Sequence, residues 1–282
     1  MKNIVLLGAG QMGRALQGLL NRNRLHLTAI GDNNPKVWER EAVPPVLPVE
    51  EALAKGPEQV LIGVLDDERC GQLTRQAREL GYTGPVMGLS DLYGSFDLRA
   101  AVLRRMVRRV RERGVAGAIA ELGTFQGDFA WQLNELFPER ALYLFDTFEG
   151  FDGRDIAVER QVSTSRAAEK DFSDTNVERV LARMPHPERV VVRKGFFPET
   201  AQGLEETFAV VSMDVDLYAP TLAGLEWFYP RMAPGGVILL HDYNSTQFDG
   251  VFKAVEEYEA RHGFLPLAPL NDLHGTALIL KS

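Results

Sequence analysis

The side chains best suited to chemistry are acids and a histidine in two short segments of the second half of the chain. Asp214 and Asp216 lie in MDVDLY, and His241 and Asp242 lie in ILLHDY. Each segment follows an apolar run of strand length, so the four side chains are expected at the ends of two buried strands. Clustered carboxylates repel one another unless a bound cation or raised pKa values relieve the repulsion. A divalent metal site and a metal-free carboxyl cluster therefore both remain open, with His241 either a ligand or a packing residue.

A glycine turn upstream of these acids has the spacing E-x-G-x-x-x-G, formed by Glu121, Gly123 and Gly127 in ELGTFQG. The turn lets the backbone approach a ligand that lacks phosphates, while Glu121 either accepts hydrogen bonds from a charged amino acid moiety or orients the loop. Asp146 ends the next predicted strand, where an acid can bind both hydroxyls of a ribose. The pattern resembles the first motif of class I S-adenosylmethionine (SAM)-dependent methyltransferases and predicts SAM binding. The alternative is a similar fold whose strand-end acid only caps a helix.

A second glycine turn, at the start of the chain, has the spacing G-x-G-x-x-G. Gly8, Gly10 and Gly13 follow a predicted strand and open a predicted helix, and Asp32 ends the next strand. This arrangement is typical of dinucleotide sites, where a pyrophosphate lies on the helix N-terminus and the acid binds a ribose hydroxyl. The alternatives are a nucleotide or sugar-nucleotide site and a scaffold that keeps the turn for packing.

Five segments in order match one family: ELGTFQG, FDTFEGF, KGFFPET, MDVDLYAPT and PGGVILLHDY. From about Gly114 to Leu280 the chain resembles the macrocin O-methyltransferase family, which methylates sugar hydroxyls in natural products. The resemblance implies a magnesium ion bound by Asp214 and Asp242, with Asp216 as the general base. The family commonly has two adjacent acids where this chain has His241 and Asp242, so His241 is expected as a third ligand. Because imidazole prefers softer metals than magnesium, the identity of the metal is open.

The expected SAM contacts lie in the same segments. Ser173 is either such a contact, near the adenine, or part of a helix cap before Val177, and Phe196 either flanks the adenine or belongs to the core. The full set of expected contacts is Glu121, Gly123, Thr124, Phe125, Gly127, Asp146, Thr147, Phe148, Ser173, Gly195, Phe196 and Asp214.

Alternating strands and helices predict an α/β protein with two domains. Residues 1–95 are expected to form a small Rossmann-like domain, and residues 96–282 a doubly wound, mostly parallel methyltransferase sheet with an antiparallel edge. One amphipathic helix, Asp97 to Arg113, is expected to bury Val102 and Leu103 and to expose a face rich in arginine. Residues 152–171 and 243–250 are expected as polar loops around the acceptor.

Composition excludes several classes of function. The net charge of -8 disfavours a nucleic acid partner, and the apolar runs are too short for a membrane span. A single cysteine, Cys70, excludes an intrachain disulfide and fits a cytoplasmic location. The leading hypothesis is a metal-assisted SAM-dependent O-methyltransferase acting on a sugar or another small hydroxylated metabolite. The alternative is a non-catalytic protein that binds NAD or a nucleotide sugar through its first domain, and a homo-oligomer is left open.

Overall fold

In the computed structural model, which describes residues 1–282, the chain folds as two units, Met1–Asp97 and Leu98–Ser282. The segment Leu89 to Phe96, which contains the predicted boundary between the two domains, is helical over Leu89–Tyr93. Leu89 and Ser90 are buried there, which fixes the start of this short helix. None of the helices in the chain has both the length and the apolar character needed to cross a membrane.

The first unit contains a parallel sheet in the strand order β3-β2-β1-β4-β5. Its central strand is buried on both faces, as expected for a parallel sheet covered by helices. The strands are β1 (Lys2–Leu7), β2 (Leu25–Gly31), β3 (Val46–Leu47), β4 (Gln59–Ile62) and β5 (Val86–Gly88). The helices are α1 (Gln11–Leu19), α2 (Val49–Leu53), α3 (Asp67–Glu79) and α4 (Leu89–Tyr93). The sequence analysis did not predict β3 and α2, because elements of 2 and 5 residues are too short to show a periodic pattern of apolar residues.

The second unit contains a sheet in the order β11-β12-β10-β9-β6-β7-β8. All pairs are parallel except those of β12 with β10 and β11, which confirms the predicted doubly wound sheet with an antiparallel edge. The strands are β6 (Ala118–Leu122), β7 (Leu142–Asp146), β8 (Val190–Lys194), β9 (Phe208–Met213), β10 (Met232–Leu240), β11 (Leu267–Pro269) and β12 (Ala277–Leu280). The helices are α5 (Leu98–Glu112), α6 (Asp128–Leu136), α7 (Gly153–Val162), α8 (Val177–Arg183), α9 (Tyr218–Phe228) and α10 (Gly250–His262).

Strand order reverses beside β6, which pairs with β7 on one side and with β9 on the other. Ligands of open α/β sheets bind at the carboxyl ends of the strands at such a point. Glu121 lies at the end of β6, and Asp214 directly follows β9. The fold therefore brings the glycine turn and the acidic segments to the same edge of the sheet.

Helix α7 corrects the expectation of a polar loop over residues 152–171. It begins after Asp152, whose side chain accepts the backbone N–H of Arg154 at 2.9 Å. Its buried residues are Ile156 and Glu159, and the second of these is an acid, so the helix lacks the apolar stripe that reveals other helices.

The end of α7 is tied to the start of α10 by the carboxylate of Asp249. This carboxylate accepts the Ser163 hydroxyl at 2.5 Å and the Thr164 N–H at 2.9 Å, and it pairs with Lys253 at 2.7 Å. Burial acts to raise the pKa of Asp249, but the bonds from Lys253 and Ser163 outweigh it and lower that pKa to about 2.

We expect Asp249→Asn to lower the free energy of unfolding by about 1–2 kcal/mol at pH 7, because it removes a charged acceptor from three donors. A lowered carboxyl pKa stabilises the fold above the unfolded value of about 3.9, and this contribution is lost as the pH falls through the folded value. Urea unfolding of the parent and the variant at pH 7, 4 and 3 should therefore show a difference in the free energy of unfolding that becomes smaller at low pH. Glu112→Gln, which breaks an exposed ion pair with Arg108, is the control and should change the free energy of unfolding little.

Candidate active site

The glycine turn after β6 is fixed by its contact with the segment after β9. Gly123 has φ +83°, and a Cβ atom added there would lie 2.0 Å from the carbonyl oxygen of Asp214. Asp214 in turn donates its N–H to the carbonyl of Leu122 at 2.8 Å. A side chain at position 123 would therefore separate the two segments. Gly127, with φ +81°, ends the turn at the start of α6.

Asp146, expected to bind a ribose, organises two loops through its carboxylate. One oxygen accepts the N–H groups of Thr124 and Phe125 at 2.7 and 2.9 Å, and the other accepts that of Phe148 at 2.6 Å. Its carbonyl accepts the N–H of Gly195 at 2.9 Å. Three segments with expected cofactor contacts are thus held around one strand end, whereas the ribose contact itself stays a prediction.

Two buried polar groups in the glycine turn have no partner within the protein. These are the hydroxyl of Thr124 and one carboxyl oxygen of Glu121, whose residues are 5% and 1% exposed. Burial raises the pKa of Glu121 well above its usual range, against the nearby charge of Arg99. A buried polar group without a partner costs about 1–3 kcal/mol, so a bound molecule with polar groups would stabilise this turn.

The remaining expected contacts divide into loop, core and surface positions. Thr147 donates its hydroxyl to the carbonyl of Gly150 at 2.7 Å, which closes the turn after β7. Phe148 is only 3% exposed and packs in the core. Phe196 is half-buried, with the guanidinium of Arg154 3.5 Å from its ring centroid.

The segment before α8 corrects one of the two expectations for Ser173, which is not the helix cap, while its contact with the adenine stays a prediction. Ser173 is exposed, and the cap of α8 is Asn176, whose side chain accepts the N–H of Arg179 at 2.8 Å. The residue that reaches the glycine turn is Thr175, whose hydroxyl donates to the carbonyl of Phe125. Ser, Asp, Thr and Asn are all good caps, so residue type alone did not select Asn176.

The two acidic segments meet in one cluster. Asp214, His241 and Asp242 each offer one ligand atom, and these atoms lie within 4.8 Å of one another. His241 Nδ1 lies 2.9 Å from Asp214 Oδ1 and 2.8 Å from Asp242 Oδ2. Two carboxylates and an imidazole at this spacing fit a divalent cation, and the nitrogen donor suits manganese, iron or zinc better than magnesium.

Charges within the cluster are balanced by the basic side chains. Burial acts to lower the pKa of His241, but the adjacent carboxylate of Asp214 raises it to about 10. Burial acts to raise the pKa of Asp214, and the charges of His241 and Arg99 bring it well below its usual range. Asp216 behaves in the opposite way: burial, then Asp214 and Asp242, raise its pKa well above the usual range, and its carboxyl is hydrogen-bonded to that of Asp242. The pKa values of Asp214 and Asp216 are thus shifted in opposite directions.

Backbone strain also concentrates at this edge of the sheet. Asp216 and Asp242 have φ +60° and +56°, and Phe125 and Phe148 have φ +48° and +53°. Residues other than glycine rarely adopt this conformation, which costs about 1–3 kcal/mol each. Four of the six such residues in the chain are expected site residues, so the strain marks the region as a functional candidate.

One site residue was missed as a binding candidate by the sequence analysis, and a histidine before the last strand lies beside the cluster. Arg99, from α5, pairs with Asp214 at 2.6 Å and is 11% exposed. It lies three and four residues before Val102 and Leu103, and so on the apolar face of the helix. An arginine on that face was the sequence signal that could have indicated a buried, functional side chain. His274 precedes β12, with its ring centroid 5.1 Å from that of His241.

The first glycine turn is only partly explained by packing. Gly8 has φ +103°, and a Cβ added at Gly13 would lie 2.0 Å from the Gly8 carbonyl oxygen, so both glycines are needed by the fold. Gly10 has φ -70°, and an added Cβ would have no atom within 4 Å. The carboxylate of Asp32 accepts the N–H groups of Ala9 and Asn34, each at 2.7 Å.

Comparison with known sequences places these features in a family context. The sequence model of the macrocin-O-methyltransferase (TylF) family matches residues 54–281, so the match begins within the first unit, earlier than the motifs indicated. The chain is 28% identical over 192 residues to an 8-demethyl-8-(2,3-dimethoxy-alpha-L-rhamnosyl)-tetracenomycin-C 4'-O-methyltransferase from Streptomyces olivaceus, covering 64% of this chain and 71% of that protein. It is 29% identical over 201 residues to a mycinamicin III 3''-O-methyltransferase from Micromonospora griseorubida, covering 67% of this chain and 77% of that protein.

Solved structures show the same fold. The O-methyltransferase NovP superposes with a TM-score of 0.55 at 24% identity, covering 65% of this chain and 79% of that one. The calicheamicin methyltransferase CalS11 superposes with a TM-score of 0.53 at 21% identity, covering 74% of this chain and 84% of that one.

Substitutions in the first glycine turn separate packing from ligand binding. We expect Gly13→Ala to lower the free energy of unfolding by about 1–3 kcal/mol, because the added methyl group meets backbone. Gly10→Ala should leave stability unchanged or raise it by up to about 1 kcal/mol, because alanine accepts this backbone conformation. If the turn binds a nucleotide, Gly10→Ala should weaken the binding of NAD or a nucleotide sugar, measured by calorimetry, without lowering the free energy of unfolding. Equal destabilisation by both variants would contradict this division of roles.

Proposed function

The chain belongs to the macrocin O-methyltransferase family, and from this premise we propose that it transfers the methyl group of SAM to a hydroxyl of a sugar, with help from a divalent cation. One observation carries the proposal. The glycine turn with its partnerless polar groups packs directly on Asp214, so a cofactor-type loop and a metal-ligand cluster share one sheet edge. A protein that only binds a nucleotide has no evident need for such a cluster.

The residues of the glycine turn would hold SAM. Glu121 and Thr124 offer the oxygen atoms that lack partners, and the loop lies within reach of Asp146 at the neighbouring strand end. SAM supplies an activated methyl group on a sulfonium, so the protein must mainly align the acceptor and make its hydroxyl nucleophilic. The strained backbone at Phe125 and Phe148 fixes the two loops on either side of Asp146.

Asp214, His241 and Asp242 would hold the cation, with Asp216 as the general base. A divalent cation bound there would supply Lewis-acid stabilisation of the negative charge that develops on the acceptor oxygen. Asp216 would accept the hydroxyl proton, and its raised pKa brings its proton affinity closer to that required at neutral pH. Asp214 and Asp242 are among the groups that, after burial, raise this pKa, so the proposed base belongs to the same electrostatic cluster as the proposed ligands.

The acceptor is proposed to be a sugar hydroxyl, by analogy with the relatives. Both curated relatives described above are named for O-methylation of a numbered position on a natural product, one of them a rhamnosyl derivative. Vicinal hydroxyls suit a cation site because a diol can be oriented by one ion. The non-catalytic alternative is not favoured, since the family is one of methyltransferases and its match covers the whole cluster.

Titration calorimetry with S-adenosylhomocysteine (SAH) tests the proposal, with Mg²⁺ or Mn²⁺ present or absent and NAD as a parallel ligand. We expect saturable SAH binding to the full chain. Asp216→Asn should retain SAH affinity within about threefold while lowering turnover of a glycosylated acceptor by about 10²–10⁴, because it removes only the base. Turnover is measured as SAH release over a panel of rhamnosides and their aglycones.

The exposed variant Asp67→Asn serves as the control and should match the parent in both measurements. No SAH binding, with clear NAD binding, would refute the methyltransferase assignment. Unchanged turnover in Asp216→Asn would leave the cofactor site in place but would exclude this residue as the base.

A further inference from the structure

Arg99 contacts the cluster in a way that family membership and the motifs do not assign. One guanidinium nitrogen lies 2.6 Å from Asp214 Oδ2, and the other lies 2.6 Å from the hydroxyl of Ser212. The guanidinium carbon also lies 4.0 Å from the ring centroid of Phe129 on α6. Three elements of the second unit, α5, α6 and β9, therefore converge on one buried cation.

The two oxygens of Asp214 have different partners. Oδ2 is taken by Arg99, while Oδ1 faces His241 Nδ1 at 2.9 Å within the cluster. An arginine bound in this way leaves a carboxylate one oxygen to offer to a cation and fixes the rotation of the carboxylate plane. Ser212 is fully buried two residues earlier, within β9, so the guanidinium is held against the strand that Asp214 directly follows.

Arg99 is also linked to the glycine turn through the hydroxyl of Ser212. Burial acts to lower the pKa of Arg99, but Asp214 and then Glu121 raise it, and the hydroxyl of Ser212 lies 3.4 Å from Glu121 Oε1. The fold thus places one permanent cation beside the acid of each segment. A permanent charge suits a positioning role because guanidinium does not lose its proton at neutral pH.

We propose that Arg99 is a positioning residue that holds Asp214 so that a single carboxylate oxygen faces the divalent cation. This inference rests on the proposed metal site. Groups that orient metal ligands typically change metal affinity by about 10–100-fold when they are removed. Arg99 should therefore control cation affinity far more strongly than SAH affinity.

The test measures Mn²⁺ binding to the full chain by electron paramagnetic resonance of free Mn²⁺, and SAH binding by calorimetry, on the same preparations. Arg99→Gln should weaken Mn²⁺ binding by about 10–100-fold while SAH affinity changes less than about threefold. Ser212→Ala, which keeps the charge but removes one anchor, should weaken Mn²⁺ binding by a smaller factor. Arg104 lies on the exposed face of the same helix and is hydrogen-bonded to Gln132, so the control Arg104→Gln should have the same Mn²⁺ and SAH affinities as the parent.

If Arg99→Gln does not fold, Arg99→Lys and Ser212→Ala test the same point, because lysine keeps the charge but cannot bridge two partners in a fixed plane. Unchanged or tighter Mn²⁺ binding in the variants would overturn the inference, since Arg99 would then be inert or a competitor for Asp214. A parallel loss of SAH affinity would also overturn it by indicating a general structural role. A parent protein that binds no Mn²⁺ would refute the metal site itself, and with it this role of Arg99.

Discussion

The close approach of Gly123 to the carbonyl of Asp214 is the constraint on which the rest of the site depends. It is a backbone contact, so it fixes the glycine turn and the acidic segment in a single arrangement whatever their side chains do. The turn then delivers Thr124 and Phe125 to the carboxylate of Asp146. Because the contact joins the ends of the adjacent strands β6 and β9, it depends on the pairing of these two strands. Asp216 and Asp242, with φ +60° and +56°, lie at the same edge of the sheet.

Electrostatics determine how the acids can share this small space. Asp214, Asp216 and Asp242 would repel one another if all were ionised, and the protein offers two remedies at once. Against the effect of burial, His241 and Arg99 lower the pKa of Asp214, while burial and then Asp214 and Asp242 raise the pKa of Asp216. Under the proposed function, a bound divalent cation would replace part of this balance. A protonated His241 supplies a positive charge here, because its Nδ1 contacts the carboxylates of both Asp214 and Asp242.

The sequence was sufficient for the elements that have a strong pattern. The buried strands β6, β9 and β10 are nearly continuous apolar runs, and the acids at their ends followed from those boundaries. Features set by tertiary contacts were not accessible in this way. Helix α7 buries an acid, Asn176 competes with three equally good caps, and Arg99 is one of several arginines on its helix. In each case residue type was ambiguous, and only the neighbours across the fold decide its role.

The two glycine turns show which signals indicate a ligand. Both are followed by a strand-end acid, and in both the acid accepts backbone N–H groups of the turn: Asp32 from Ala9, and Asp146 from Thr124. The acid is therefore part of the turn's own structure and does not by itself distinguish a binding site from a scaffold. Partnerless polar groups are a better guide, because their burial costs free energy that a ligand can recover. The buried polar side-chain atoms without partners all belong to the second unit, including those of Glu121 and Thr124. In the first unit the only comparable feature is the open space beside Gly10. The physical case for a ligand is therefore strong at the turn after β6 and rests on a single glycine at the turn after β1.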